Sequence, residues 1–286
     1  MTRIAYIVSA YRLPRQLERL LRRLAAPGAS FAVHVDRKTR RPIYEEMVAR
    51  TRDLDVVFLP RHVSHWGGFG HVRSTLKGID HFVENGAQFD YAVLLTGQDY
   101  PLRPAVEIAS YLGSAGGRSF MSNWPLPHGP WGERGGLERI EDWHVITYRR
   151  LKVRLPLRRR LPLGLSPYGG GAYWCLAADV VEYVHTFVHE HAEYVRFFEH
   201  VLIPDELFFQ TIVMNSPLHD SIENDNLRYL DWSRRPAPAV LGQGDLPALV
   251  SSPKLFARKF DEGVDATILD LLDAHLDRRE PIPDRT

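Results

Sequence analysis

The chain is poor in cysteine and has no long apolar run. Cys175 is its one cysteine in 286 residues, which rules out an internal disulfide framework and suits a reducing compartment. No segment reaches about eighteen uninterrupted apolar residues, so a membrane-spanning helix is not expected. At the N-terminus, MTRIAYIVSAYRLPRQ is interrupted by Tyr11, Arg12 and Arg15. Its apolar stretch of about seven residues is too short for a secretory signal core. Charge of either sign is not in excess: 36 basic and 35 acidic residues leave a formal +1, so no global field favours nucleic acid or a membrane surface. Neither GxGxxG nor GxxxxGK[ST] occurs, which argues against the usual dehydrogenases and kinases. Internal repeats and low-complexity tracts are absent as well. What is present is an ordinary globular composition, 44% hydrophobic and 25% charged, in a chain long enough for one large α/β domain or two small ones. These features predict a soluble, cytoplasmic, enzyme-sized protein.

The first half alternates in period. Ile4 to Val8 reads as a buried strand, and Leu17, Leu20, Leu21 and Leu24 then recur at helical spacing until Pro27-Gly28. Strands follow at Phe31–Val35, Val56–Leu59 and Tyr91–Leu95, separated by helices from about Pro42, after Ser64–Val72, and near Val106. Strand and helix alternating at intervals of roughly 25 residues predict a mostly parallel sheet with helices on both faces. Ligands bind such sheets beyond the carboxyl ends of the strands. Polar clusters stand at three of those ends: Ser9–Tyr11, Asp36–Lys38 and Thr96–Asp99. One domain over residues 1–286 is expected, its first half, about 1–122, carrying the strand-end clusters of a nucleotide-binding domain and its second half running over about 123–280.

The second half opens on WPLPHGPWGERGG and a basic run, Arg149 to Arg160, with seven Lys or Arg in twelve positions. Prolines 156, 162 and 167 discourage one continuous helix there, leaving a solvated mobile loop or an acceptor-facing flap. Three glycines precede a strand holding Trp174, and glycines there permit close backbone approach. His185 and His189 share a helix face, yet the order is not HExxH and no third ligand is evident, so no metal is expected at that pair. The stretch VLIPDELFFQTIVMNSP puts Pro204 at a first helical position and Asp205 and Glu206 in the first turn, at the positive end of the helix dipole. Those acids either complement the dipole or present a base at the tip of a buried helix. A final helix, about Ala266 to Leu276, is expected to turn Ile268, Leu271, Leu272 and His275 inward, and Pro281–Thr286 to fray.

WGGFGHV, LLTGQDYPLR, GGGAYWCL, PDELFFQTIVMNSP, LRYLDW and LFARKFD, in this order, resemble the core-2/I-branching glycosyltransferases. These include β-1,6-N-acetylglucosaminyltransferases and protein O-xylosyltransferases. The resemblance runs from about residue 4 to residue 276. It implies an α/β fold of GT-A type, a UDP-sugar donor, inversion at the anomeric carbon, and no divalent metal or other cofactor. Position by position, Glu206 matches the catalytic base and Lys259 a lysine that holds the diphosphate. Arg235, with Arg234 as rival, matches a second diphosphate cation, and Asp36 meets the uracil–ribose end. Asp99 and Trp66 complete the donor set. Trp232, Arg139, Trp174 and Asp205 fall on the acceptor side. Animal members of the family are Golgi proteins with an anchor, a stem and many cysteines. Without that apparatus, the acceptor here is expected to be a polysaccharide, a glycolipid or a small molecule.

Charge arithmetic points the same way. GT-A enzymes usually place Asp-x-Asp after the fourth strand to hold a metal on the diphosphate. Here Thr96-Gly97-Gln98-Asp99 offers one carboxylate, and the literal Asp-x-Asp at Asp53–Asp55 precedes a strand instead of following one. Cations fixed in a water-poor site, among Arg234, Arg235, Arg258 and Lys259, must then stabilise the leaving UDP. Competing expectations are a dTDP- or GDP-sugar donor, or a carbohydrate-binding relative without catalysis. Donor sugar, acceptor, oligomeric state and the role of residues 149–160 are not encoded legibly.

Overall fold

A computed structural model describes residues 1–146, 152–155 and 157–279. Residues 149–151 and 156 of the basic run, and the tail 281–286, lie outside the described residues. β1 (Ile4–Ala10) leads through α1 (Pro14–Leu24) to β2 (Ala29–Val35), then α2 (Arg41–Arg50), β3 (Val56–Phe58), α3 (Gly70–Glu84) and β4 (Tyr91–Thr96). β5 (Asp99–Pro101), α4 (Ala105–Ser114) and β6 (Ser119–Met121) close the first half. The Pro/Gly-rich middle supplies β7 (Trp124–Pro125), α5 (Leu137–Glu141), β8 (Trp143–Ile146), β9 (Lys152–Leu155) and β10 (Tyr168–Gly169). Next come β11 (Trp174–Ala177), α6 (Ala178–Glu190), α7 (Ala192–Phe198), α8 (Phe208–Met214) and β12 (Ile222–Glu223). β13 (Arg228–Leu230), α9 (Leu246–Ser251), β14 (Phe256–Arg258) and α10 (Thr267–Asp277) complete the chain.

Seven strands form the central sheet in the order β12-β6-β11-β4-β1-β2-β3, drawn from both halves of the chain. All neighbours are parallel except β11, which runs antiparallel to β4 and β6. The apolar run of β1 is continuous because both its faces are covered. Ile4, Tyr6 and Val8 pack on one side with Leu20 of α1, Ile108 of α4 and Leu272 of α10. Ala5 and Ile7 pack on the other with Val72 of α3, Val184 of α6 and Phe208 of α8. A smaller sheet, β13-β14-β5, leans on the end of β4. Buried Arg228 joins the two, donating to the Leu94 and Asn226 carbonyls at 2.6 Å each with its guanidinium 4.7 Å from the Phe256 ring centre. Among the described residues, no helix is long and apolar enough to cross a membrane.

Four details differ from expectation. The acids of the PDE stretch do not open an α-helix: Pro204–Glu206 is a separate 3₁₀ turn, and Leu207, at φ −137°, breaks the chain before α8 begins. Part of the basic run is pinned instead of mobile. β9 pairs with β8, and Arg159 donates to the Phe197 carbonyl at 3.0 Å while lying 3.9 Å from the centre of that ring. On α10 the inward stripe is Ile268, Leu269, Leu272 and Leu276, one position round from the expected one, so Leu271 and His275 sit at its edge.

Trp174 is the fourth. It is fully buried in β11, with its ring 5.7 Å from that of Phe209, and so offers no surface to an acceptor. Its work is packing. Trp174→Ala should therefore cost about 3–5 kcal/mol in denaturant unfolding. Unchanged stability with weakened acceptor binding would contradict this assignment.

Candidate active site

The three polar strand ends meet side by side, because β2, β1 and β4 are parallel neighbours. The Asp36 amide donates to the Ala10 carbonyl at 2.9 Å, and the Thr39 hydroxyl donates to the Tyr11 carbonyl at 2.8 Å. Tyr11 in turn reaches Gln98 at 3.3 Å. Asp36 is nearly buried; its carboxylate accepts the Lys38 amide at 2.9 Å and lies 3.2 Å from the Lys38 ammonium.

Beyond β4 the charges are layered. Asp99 is fully buried, and its Oδ2 accepts the Thr96 amide and hydroxyl at 2.7 and 2.6 Å. The same oxygen pairs with Arg258 at 3.2 Å. Asp99 thus stands behind the strand end instead of facing a ligand, and what it positions is Arg258. That guanidinium lies 4.6 Å from the Tyr173 ring centre. The next residue, Lys259, has its pKa pushed down, first by desolvation and then by the neighbouring cations Arg258 and Arg12. Asp261 opposes this and binds Arg12 at 2.5 Å. Arg12, Arg258 and Lys259 share two carboxylates, Asp261 and Asp99, and the one cation left over makes a spot that favours an anion.

The backbone of Lys259 carries a loop on its flank. The Lys259 amide donates to the Ala239 carbonyl at 3.4 Å and the Leu241 amide to the Lys259 carbonyl at 2.9 Å, while Ala239 closes the loop on Asp231 at 2.8 Å. Trp232, Arg234 and Arg235 ride on this loop. Arg234 is held by Asp231 at 2.6 Å and Asp245 at 2.7 Å. Arg234, Arg235 and Trp232 are all exposed on this loop, and the two arginines differ in that Arg234 is committed to its two carboxylates.

Glu206 approaches the same region from the opposite half of the chain. Its turn is entered through Ile203 at φ +52°, a left-handed conformation that a β-branched residue adopts only under strain. Three segments fix the turn. The Ile203 amide donates to Gly67 of the WGGFG loop at 2.8 Å, and the Leu202 amide donates to the Arg139 carbonyl at 3.1 Å. The Gly170 amide donates to the Glu206 carbonyl at 2.9 Å. A Cβ at Gly170 would lie 1.7 Å from the Ser122 carbonyl oxygen, so no side chain fits there. Trp66 precedes Gly67 and is largely exposed.

The Glu206 carboxylate is mostly withdrawn from water. Arg139 donates to its Oε2 at 2.8 Å, and the Arg139 guanidinium lies 4.0 Å from the Trp131 ring centre. Desolvation raises the Glu206 pKa above the ordinary carboxylate range, the Asp205 charge adds to the rise, and Arg139 opposes both. Asp205 has its Oδ1 buried with no hydrogen-bond partner among the described residues, and its charge is felt at Tyr173 and Arg258. Through Asp205, Tyr173 and Arg258, a run of interacting side chains connects the turn of Glu206 to Lys259.

Residues 4–250 match the family model for the core-2/I-branching enzyme. The chain belongs to the core-2/I-branching enzyme family. It is thereby a member of a glycosyltransferase family, and its mixed α/β architecture is consistent with the GT-A type. Xylosyltransferase 2 of Rattus norvegicus is 29% identical and that of Canis lupus familiaris 30%, each over 96% of this chain and 34% of the relative. The xylosyltransferase of Ciona intestinalis is 25% identical over the same share of the chain. The chain thus spans about a third of the length of the relatives it matches. Among solved structures, the 4-diphosphocytidyl-2C-methyl-D-erythritol synthase of Anaerococcus prevotii overlays at a TM-score of 0.36 and 9% identity, over 67% of this chain and 76% of that one, too slight a likeness to inform the site.

Of the residues expected from the family motifs, Glu206, Asp205 and Arg139 are brought together, and Lys259 lies beside the loop of Trp232 and Arg235. Asp36 stands at the next strand ends. Arg234, Asp99 and Trp174 are engaged elsewhere. Tyr173, Arg12 and Trp131 belong to the site and were not expected. Tyr173 adjoins the glycines of YGGGAYW, Arg12 directly follows a strand-end cluster, and Trp131 sits in the proline-rich middle, so each had a positional signal but none of chemistry. Removing Arg139 removes the one influence that lowers the Glu206 pKa. A carboxyl-labelled NMR titration should therefore find that pKa higher in Arg139→Leu than in the parent; a fall would contradict the geometry.

Proposed function

We propose that the chain is an inverting glycosyltransferase that moves a sugar, GlcNAc or xylose, from a UDP-sugar to an acceptor hydroxyl without a divalent metal at the donor. The observation that carries it is a desolvated carboxylate, Glu206, whose neighbour Asp205 acts on Arg258 in the cation cluster of Arg12, Arg258 and Lys259. Glu206 takes the proton of the attacking hydroxyl while its oxygen displaces UDP from the opposite face of the anomeric carbon. The bond to the acceptor forms as the bond to the diphosphate breaks. Lys259 and Arg235 stabilise the negative charge that grows on the leaving group, and Asp36 holds its nucleoside end. Asp205, whose buried Oδ1 lacks a donor among the described residues, receives a hydroxyl of the acceptor, and Trp232 offers the acceptor a face.

Absence of a metal at the diphosphate is supported by the residues, not by the contents of the structure. The one carboxylate after β4, Asp99, is buried against Arg258, and Asp53 of the literal Asp-x-Asp is paired with Arg22 at 2.8 Å. The acceptor is proposed to be a carbohydrate, glycolipid or small molecule, and the single cysteine favours a cytoplasmic setting.

Glu206→Gln should lower transfer by about 10² to 10⁴ while UDP binding by calorimetry is kept. Near-normal turnover would refute the base. Lys259→Ala should weaken UDP severely, and the parent should prefer UDP over dTDP and GDP in the same titration. Preference for either of the others would replace the donor assignment. Activity should survive EDTA at a temperature well below unfolding. Because the base must be ionised and its pKa is raised, the acid limb of kcat/KM should fall at a higher pH than for an ordinary carboxylate. A limb near pH 4 would separate the limb from Glu206.

A further inference from the structure

The geometry points to a second site, a divalent transition-metal centre between α3 and α6, away from the reacting groups. Asp80 and Glu84 stand four apart on α3, and His185 and His189 stand four apart on α6, so each pair shares one helix face. The two faces oppose each other, and one ligand atom from each of the four residues lies within 4.8 Å of every other. His185 Nε2 is 3.8 Å from Asp80 Oδ1 and 3.9 Å from Glu84 Oε1, and His189 Nε2 is also 3.9 Å from Glu84 Oε1.

Those distances are too long for hydrogen bonds and suited to something in between. Four ligands at about 2.0–2.2 Å from a tetrahedral ion lie roughly 3.3–3.6 Å apart, so the three pairs at 3.8–3.9 Å close by a few tenths of an ångström and any pair near the 4.8 Å limit by about 1 Å. Protonation states agree. His189 Nδ1 is 2.8 Å from the His185 carbonyl oxygen, which can only accept, so Nδ1 carries the proton and Nε2 turns its lone pair toward Glu84. Such a backbone-held Nδ1–H is the usual way a ligating imidazole is oriented. His185 Nε2 and Asp80 Oδ1 are both buried with no hydrogen-bond partner among the described residues. Two neutral imidazoles and two carboxylates carry a charge of −2, which one M²⁺ cancels.

Nitrogen and carboxylate ligands in this number fit zinc, with cobalt, nickel and copper as competitors. The role is a cross-link. The far end of α3, at Gly70, follows the loop whose Gly67 holds the Ile203 turn. Asp80 and Glu84 lie ten to fourteen residues further on, about 15–21 Å along the helix. The ion therefore braces the helix that supports the Glu206 turn and takes no part in the bond exchange.

Metal-stripped full-length protein should bind one Co²⁺ with the intense visible d–d absorption of a tetrahedral site, displaced by Zn²⁺. At a hundredfold excess over Kd, Zn²⁺ should raise Tm by about 5 °C or more. His185→Gln/His189→Gln, checked for folding by circular dichroism, should lose about a hundredfold or more in affinity and keep transferase activity below its unfolding temperature. Should that variant fail to fold, Glu84→Gln, at an exposed position, should still weaken zinc by about tenfold or more. A parent that binds no cobalt, or the same spectrum and affinity in the variants, would overturn the proposal.

Discussion

A largely buried guanidinium, held on a fully buried carboxylate, organises the business end of this molecule. Arg258 leaves β14 for the end of β4, where it meets Asp99 and Thr96 and lies against Tyr173. Breaking a buried pair of this kind by removing one partner costs about 3–5 kcal/mol, because a charge is left without compensation. The pair therefore fixes β14 against β5 and β4, and with β14 it fixes Lys259 and the loop that hangs on the Lys259 backbone. The cation field is built into the sheet rather than gathered by flexible side chains. Preorganised charge of that sort needs no reorganisation when negative charge develops nearby.

Glu206 is held by the opposite logic. Its carboxylate is desolvated and stands next to Asp205, so ionisation is made harder, and the one compensating partner is Arg139. Its folded-state pKa lies above the unfolded one. Folding is thus favoured while the group is protonated, and that advantage is lost as pH rises through the folded value. The strained Ile203 and the closely packed Gly170 add to the cost of the turn. Stability is thus given up at a few positions around one carboxylate, as is common where a fold holds an ionisable group in a perturbed state.

Much of the fold was legible because burial writes a period into the chain. The leucines of α1, the continuous run of β1 and the alternation through β4 read correctly, since one stripe or two faces of each are packed. Around the PDE stretch, local propensity misled. Pro204 followed by two acids suits a helix start, but docking of the Ile203 amide on Gly67 and of Gly170 on Glu206 bends the chain into a separate turn. The His185/His189 pair looked incomplete for a similar reason: its carboxylates sit about a hundred residues earlier, on another helix, and sequence spacing carries no trace of them.

The sequence by itself determined the layered α/β plan, the family, and the identity of the chemistry-bearing motifs, because those depend on local periodicity and on residue type. Tertiary structure alone decided which of those residues face one another. It withdrew Asp99 and Trp174 into the interior, tied up Arg234, and supplied Tyr173, Arg12 and Trp131. The reason is physical: burial, desolvation and charge pairing are set by neighbours in space, and the neighbours of Glu206 come from segments separated by up to about 140 residues of chain.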